Sequence, residues 1–300
     1  MNEDLVDRLL ARLEIDRGLN CDFAGLTAVY RAWCTNVPFD NTAKLIALGS
    51  NSPGLLPGID ADEFFDRFLS HNVGGTCWPT SNALFELLVT LGFQARRAAG
   101  SMRDTGAVSH GTTRVQIDNA SWLVDSSMLT NGPLPLQSET FLSNDPLVPA
   151  EVRTDGGEYV IWWDLPPNPG PIPCRLLHDD VSRDFYVERY EASRLRSPFN
   201  ERIYARRNFG TRILIITGNR RLSKTIDGIE DSSLSDSQLA ESLRNEIGLS
   251  GRILDQLRES PAWRASFIPP PQAADAASAA AQQKPDSART SEPSPGHPAT

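Results

Sequence analysis

The sequence predicts an α+β protein, with helices first, strands next and a smaller mixed α/β part last. Apolar residues recur three and four positions apart up to about residue 91, as in amphipathic helices. Short β-prone runs separated by turn residues then fill residues 93–191, and strands followed by a helix-start signal come after residue 200. Because helices and strands are segregated along the chain, the pattern is typical of α+β folds rather than doubly wound folds.

The individual elements follow from periodicity and from start and stop signals. Helices are predicted over residues 4–16, 22–36, 60–70 and 80–91, the last ending before a C-terminal cap at Gly92. Strands are predicted over residues 113–117, 122–124, 159–163, 202–207, 212–217 and 222–226. Five prolines within residues 166–173 predict an extended loop. A final helix is predicted over residues 235–247, because Ser235 and Gln238 form a capping-box pattern.

Composition excludes several classes of protein. The net charge of −9 argues against a nucleic-acid partner. No run of about 18 apolar residues is present, so no membrane span is expected. The N-terminus lacks a signal-peptide pattern and the four cysteines are scattered, which together predict a cytoplasmic protein with free thiols. The His and Cys spacing predicts no metal site.

The end of the chain differs from the rest in composition. Residues 269–300 contain seven prolines and no Leu, Ile, Val, Phe, Tyr or Trp. Such a segment buries too little apolar surface to offset its chain entropy, so we predict a disordered tail.

Cys77 is the first residue that points to chemistry. It follows Gly74 and Gly75 and precedes Pro79, a residue that suits the first turn of a helix. The thiol is therefore expected at a helix N-terminus, where partial positive charge favours the thiolate. The alternative is a small buried hydrophobic residue, the usual state of a free cysteine.

His110 and Asp125 are expected to lie close to each other. A tight turn at Asp118 and Asn119 would join two strands so that His110 faces Ser127. Asp125 would then be a diagonal neighbour of His110 on the same face, about 7–8 Å away, which a side chain spans. A surface histidine beside a turn aspartate is the alternative. With Cys77, the pair would supply a nucleophile, a base and an orienting carboxylate for acyl transfer through a thioester.

Several motifs together resemble the arylamine N-acetyltransferase family. They are residues 10–16 (LARLEID), 37–41 (VPFDN), 74–77 (GGTC), 91–93 (LGF), 123–125 (LVD) and 197–199 (SPF), with the family's spacing of fifteen between His110 and Asp125. The resemblance covers about residues 5–230. The chain departs from the family's pattern at Trp33, Val73, Pro79, Ser81 and residues 126–129.

The resemblance implies a cysteine-protease-like arrangement of Cys77, His110 and Asp125. It implies a helical domain over residues 1–95, a β-barrel over 96–200 and an α/β lid over 201–268. It also implies ping-pong transfer of an acetyl or other acyl group to an amine acceptor, with acetyl-CoA as co-substrate and no permanently bound cofactor. By the same resemblance, Ser127, Met128 and Leu129 are expected to line the donor site. An amide synthase or a thiol hydrolase with the same three residues, and a non-catalytic binding protein, remain as alternatives, and the oligomeric state stays open.

Overall fold

Five helices form the N-terminal part of the computed structural model, which describes residues 1–269. Their bounds are Glu3–Leu13 (α1), Phe23–Asn36 (α2), Thr42–Gly49 (α3), Ala61–His71 (α4) and Cys77–Thr90 (α5). Asn2, Asp22 and Asp60 each accept a backbone N–H bond that caps the helix following them. Four of these helices confirm the sequence prediction, whereas α3 was not predicted.

Eight strands form an antiparallel sheet that curls into a nearly closed barrel. They are Gln94–Met102 (β2), His110–Ile117 (β3), Ala120–Val124 (β4), Leu134–Leu136 (β5), Phe141–Leu142 (β6), Ala150–Asp155 (β7), Glu158–Trp163 (β8) and Ile172–His178 (β9), in the order β5-β4-β3-β2-β9-β8-β7-β6. Tyr159 Oη on β8 donates to the Leu136 carbonyl oxygen on β5 at 3.2 Å, across the gap between the two ends of the sheet. The expected barrel is confirmed.

A helix interrupts the region that the sequence predicted to be all strand and turn. Arg183–Ala192 (α6) begins after Ser182, whose side chain accepts from the Phe185 N–H. The prediction of strands and turns alone over residues 93–191 was therefore wrong, and the helix was missed because it has no long apolar stripe. Its buried residues are Tyr186 and Tyr190, one turn apart.

A second sheet has five strands, four of them from the C-terminal part. The order is β1-β10-β11-β12-β13, with bounds Phe39–Asp40 (β1), Tyr204–Asn208 (β10), Ile213–Thr217 (β11), Arg220–Thr225 (β12) and Gly228–Ser233 (β13). The first of these strands comes from the N-terminal part of the chain. Phe39 pairs with Arg206 and Asp40 with Ala205, so the N-terminal segment is joined to this sheet by strand pairing.

Three helical segments follow the second sheet. Asp236–Ser242 (α7) continues into a π-helical turn at Leu243–Ile247, and Gly251–Glu259 (α8) and Pro261–Ala265 (α9) come after it. The capping box of Ser235 and Gln238 is confirmed at the start of α7. The helix over 235–247 is not the last one, since α8 and α9 were not predicted.

The central strand β11 is buried on both faces. Ile213 and Ile215 pack with the apolar residues of the barrel, and Leu214 and Ile216 pack with the C-terminal helices. Alternate residues of one strand therefore hold the barrel and the helices to opposite sides of the second sheet. A further apolar cluster joins α1, α2, α4 and α5 to the strand β3.

Residues 1–267 form one compact unit. The domain boundaries expected at residues 95, 200 and 268 stay predictions. The predicted disordered tail lies outside the described residues apart from its first residue. Among the helices of residues 1–269, none has the length and apolar character that crossing a membrane requires.

Candidate functional site

Cys77 is the first residue of α5, as the sequence predicted. Its position is fixed by the segment before it, which packs against residues 38–40. The Gly74 N–H donates to Asp40 Oδ2 at 2.7 Å, and the Asp40 N–H donates to the Gly75 carbonyl oxygen at 3.1 Å. A Cβ atom on Gly74 would lie 1.7 Å from the Pro38 carbonyl oxygen, so only glycine allows this approach.

Asp40 is fully buried and has no basic partner among the described residues. Burial raises the pKa of its carboxyl group, against the opposing effect of hydrogen bonds from the N–H groups of Thr42 and Gly74. The carboxyl group thus holds the segment before Cys77 through backbone hydrogen bonds alone.

His110 and Asp125 are held together by the hairpin of β3 and β4. Ile117 pairs with Ala120 and Thr113 with Val124, which is the register predicted from the turn at Asp118 and Asn119. Asp118 has a φ of 50°, in the left-handed region that such a two-residue turn requires. Asp125 directly follows β4, and its Oδ2 lies 2.7 Å from His110 Nε2.

The His110–Asp125 pair is buried, with exposures of 3% and 1%. Burial alone would lower the pKa of His110, but the Asp125 charge, its hydrogen bond and a hydrogen bond with Cys77 raise it to about 10. Burial would raise the pKa of Asp125, and the His110 charge keeps it below its usual value. The pair is therefore an imidazolium and a carboxylate at neutral pH.

The His110 ring lies beside both other residues of the predicted triad. Its Nε2 faces Asp125, and the Cys77 thiol is near enough to the ring to contribute to the raised pKa of His110. The Cys77 thiol also lies 3.9 Å from the Ser109 carbonyl oxygen. The structure thus brings Cys77, His110 and Asp125 together in the predicted order of contact.

The residues expected to bind the donor lie next to Asp125. The N–H groups of Ser127 and Met128 donate to Asp125 Oδ1 at 2.9 and 3.0 Å. Ser127 and Leu129 are buried, and none of the three residues lines the cavity at Cys77. In the structure, this segment supports the Asp125 carboxylate. Contact of the segment with an acyl donor stays a prediction.

Ser81, where the chain departs from the family's pattern, connects α5 to the barrel. Its hydroxyl donates to the Gly111 carbonyl oxygen at 2.7 Å and lies 2.9 Å from Ser126 Oγ. Ser81 and Ser126 are two positions where the chain departs from the family's pattern. They contact each other, beside the strand that carries His110.

The Cys77 thiol lines a cavity of about 200 Å³. Its walls come from the start of α5, from residues 108–109, from α3 and from α6 with the loop after it; they are Lys44, Thr76, Cys77, Trp78, Val108, Ser109, Arg189, Ala192, Ser193, Arg196, Ser197, Pro198 and Phe199. The SPF motif at 197–199 is thus a loop in the cavity wall. A larger groove of about 890 Å³ lies among α3, α4 and α8 but contains none of the triad residues, so we place the candidate site at the smaller cavity.

The unpredicted helix α6 forms one side of this site. Tyr186 packs against Trp78, the residue after Cys77, with ring centres 5.0 Å apart. Its hydroxyl lies 2.7 Å from the carbonyl oxygens of Ala98 and Thr112 on β2 and β3. The helix therefore ties the start of α5 to the strand that carries His110. A serine cap followed by two tyrosines one turn apart was the signal in the sequence.

Three basic residues of the cavity wall were not predicted as site residues. Lys44 lies on α3 and is 2% exposed, and Arg189 and Arg196 come from α6 and its following loop. A single lysine in a sequence gives no sign that it is buried, since most lysines are exposed.

Residues 1–269 contain no group of three or more His, Cys, Asp or Glu side chains placed to hold a metal ion.

Comparison with solved structures shows the same fold in arylamine N-acetyltransferases. The enzyme of Mycobacterium smegmatis is 18% identical with a TM-score of 0.73, over 89% of this chain and 97% of that one. The Mycobacterium marinum enzyme in complex with CoA is 16% identical with a TM-score of 0.72, over 85% and 99%. A Bacillus cereus enzyme described as having a Cys-His-Glu catalytic triad is 17% identical with a TM-score of 0.69, over 83% and 100%.

No curated protein matches the chain. The model of the N-acetyltransferase family, however, matches residues 22–252, which include the whole site. That match covers well over half of the sequence and agrees with the fold of the solved structures. The chain therefore belongs to the arylamine N-acetyltransferase family of enzymes.

Proposed function

We propose that the chain transfers an acetyl group from acetyl-CoA to an amine through a thioester on Cys77. The observation that carries this proposal is the buried His110–Asp125 pair, with 2.7 Å between Nε2 and Oδ2, beside a thiol at the start of a helix. An imidazolium held in this way stabilises a neighbouring thiolate, and the thiolate is the nucleophilic form of cysteine.

The first half-reaction forms the thioester. The Cys77 thiolate attacks the carbonyl carbon of acetyl-CoA, and the bond between that carbon and the CoA sulfur breaks. The departing CoA thiolate takes the proton from His110 Nδ1, which leaves a neutral imidazole. Asp125 holds the ring orientation throughout, because its second oxygen is anchored by the N–H groups of Ser127 and Met128.

The second half-reaction releases the product. The amine attacks the thioester carbonyl, gives a proton to the imidazole and forms the amide, and the Cys77 thiolate leaves. The thiolate and the imidazolium are then both restored, so no other proton donor is required.

The start of α5 supports the proposal through its backbone. Thr76 makes no side-chain cap, so the first-turn N–H groups of Cys77 and Trp78 are not satisfied in that way, and Pro79 has none. Such N–H groups suit the oxygen that becomes negative when the carbonyl is attacked.

The size of the cavity limits which part of a substrate enters it. A cavity of about 150 Å³ is enough for benzene. The cavity of about 200 Å³ therefore accommodates an acyl group or a single aromatic ring, and the body of CoA must remain outside.

The test is mass spectrometry of the intact protein after incubation with acetyl-CoA. We expect one acetyl group on the protein, none in Cys77→Ser, and an unchanged label in Cys21→Ser, which removes an exposed cysteine far along the chain from the site. Addition of an arylamine should remove the label and yield the amide. Label from activated esters but not from acetyl-CoA would instead favour the amide synthase or hydrolase. No label from any donor would refute acyl transfer.

A further inference from the structure

Lys44 is a buried cation in the wall of the Cys77 cavity. Its Nζ donates to Ser193 Oγ at 2.8 Å and to the Ser193 carbonyl oxygen at 3.3 Å, and it forms no ion pair with any of residues 1–269. A buried charge that lacks an opposite charge is costly, and an anion that reaches it would reduce that cost. The ammonium group has a third N–H that neither of these bonds uses.

The surroundings of Lys44 do not supply that partner. Glu191 is the nearby acid, and its carboxylate is already engaged by Arg194 at 2.9 Å and by the Leu56 N–H. Arg194 is a further cation near Lys44, and the remaining group is the Cys77 thiol. Apart from the thiol, an anion could therefore reach Lys44 only through the cavity.

The charged residues of the cavity wall are all basic. The wall contains Lys44, Arg189 and Arg196 and no Asp or Glu. The Nε of Arg189 is buried without a hydrogen-bond partner in the described residues. Arg196 is exposed and forms no ion pair within the described residues. Lys44 and Arg196 therefore retain capacity to bind an anion. Arg189 pairs with Glu188 at 2.9 Å through Nη2 and retains its Nε–H for a further partner.

We propose that the Cys77 cavity selects a substrate that carries a carboxylate, bound by Lys44 with Arg189 and Arg196 beside it. This inference rests on the proposed function, since it names the class of substrate for the same site. Lys44 and Cys77 line one small cavity, so the carboxylate and the reacting carbonyl or amine lie only a few bonds apart in the substrate. The carboxylate comes either with the acyl group of the donor or with the amine acceptor.

The direct test compares two alkylating reagents that differ in charge. Iodoacetate and iodoacetamide both form a carbon–sulfur bond with the thiolate and release iodide, but only iodoacetate brings a carboxylate. At pH 7, the ratio of the iodoacetate rate to the iodoacetamide rate at Cys77 should exceed that of 2-mercaptoethanol at least tenfold. In Lys44→Met the ratio should fall at least tenfold.

Two further variants keep the test interpretable. Arg196→Ala changes an exposed residue and should lower the ratio without affecting folding, which covers the case in which Lys44→Met does not fold. Lys224→Met removes a lysine of β12 that does not line the cavity, and it should leave the ratio unchanged. A ratio at Cys77 no higher than that of the free thiol, or one that Lys44→Met and Arg196→Ala both leave unchanged, overturns the proposal.

Steady-state kinetics identify which substrate supplies the carboxylate. Succinyl-CoA is compared with acetyl-CoA as donor, and 4-aminobenzoate with aniline as acceptor. Lys44→Met should lower kcat/KM at least tenfold for the anionic member of one pair relative to its neutral partner, and unchanged ratios in both pairs overturn the substrate class. The alkylation ratio needs no acetyl transfer, so a protein that prefers iodoacetate but takes no acetyl group refutes the proposed function alone.

Discussion

Replacing Asp125 with Asn removes the counterion of a buried imidazolium while keeping the shape of the side chain. Asparagine retains an oxygen for the N–H groups of Ser127 and Met128, which Asp125 accepts at 2.9 and 3.0 Å. What is lost is the charge that faces His110 Nε2 at 2.7 Å. The change in the free energy of unfolding therefore measures the loss of the ion pair more than any loss of the hydrogen bonds from Ser127 and Met128.

The magnitude follows from the pKa of His110. That pKa is about 10 in the folded protein against 6.5 for an unperturbed histidine. The raised pKa stabilises the folded state fully at pH values below the pKa of His110 in the unfolded chain. This stabilisation is lost as the pH rises through the pKa of His110 in the folded protein. At about 1.4 kcal/mol per pH unit, the contribution at pH 7 is about 4 kcal/mol, and at pH 10 it is below about 1 kcal/mol.

Urea unfolding at the two pH values measures this difference. Asp125→Asn should lower the free energy of unfolding by about 4 kcal/mol at pH 7 and by less than about 1 kcal/mol at pH 10. Asp179→Asn is the control, because Asp179 pairs with Arg114 at 2.6 Å and arginine stays charged over this range. Its effect should therefore be equal at both pH values. An Asp125→Asn effect that is equally large at pH 10 would refute the ion pair, as would one below about 1 kcal/mol at pH 7.

Three other substitutions test the surroundings of the site. Gly74→Ala should lower the free energy of unfolding by about 3 kcal/mol and reduce the acetylation of Cys77, whereas Gly132→Ala, where a Cβ meets open space, should do neither. Equal melting temperatures of the two variants would contradict the close approach of Gly74 to the Pro38 carbonyl oxygen. Tyr186→Phe should cost about 1–3 kcal/mol in urea unfolding, because two buried carbonyl oxygens lose the hydroxyl; no loss would show that they are satisfied otherwise. Ser235→Ala should cost about 1 kcal/mol through the lost capping box, read from thermal unfolding, and a neutral result would contradict the cap.

The contact between His110 and Asp125 could be predicted because its causes are local. A two-residue turn fixes the pairing of every residue in a hairpin, and the turn residues Asp118 and Asn119 are visible in the sequence. The position of Cys77 at a helix start was equally local, since two glycines and a proline surround it. In both cases a few neighbouring residues decide the backbone.

The rest of the site depends on contacts between distant parts of the chain. The helix α6 is held by Tyr186 and Tyr190, whose partners lie on α5, β2, β3 and the segment around Pro57. Lys44 lies against the end of α6, where its Nζ donates to Ser193 and is 5.6 Å from the centre of the Tyr190 ring. Neither feature has a periodic pattern of its own, so tertiary packing rather than local propensity determines both.

The strand β1 makes the position of Cys77 depend on a strand that follows it by more than a hundred residues. Its two residues pair with β10, Asn41 next to them donates to the carbonyl oxygens of Phe199 and Arg202, and Asp40 holds Gly74. A nascent chain that has emerged only as far as residue 200 has Cys77 but lacks the strand against which β1 is aligned. The thiol is thus organised late in synthesis, after more than a hundred further residues have followed it, and a C-terminal truncation before β10 would leave it without its support.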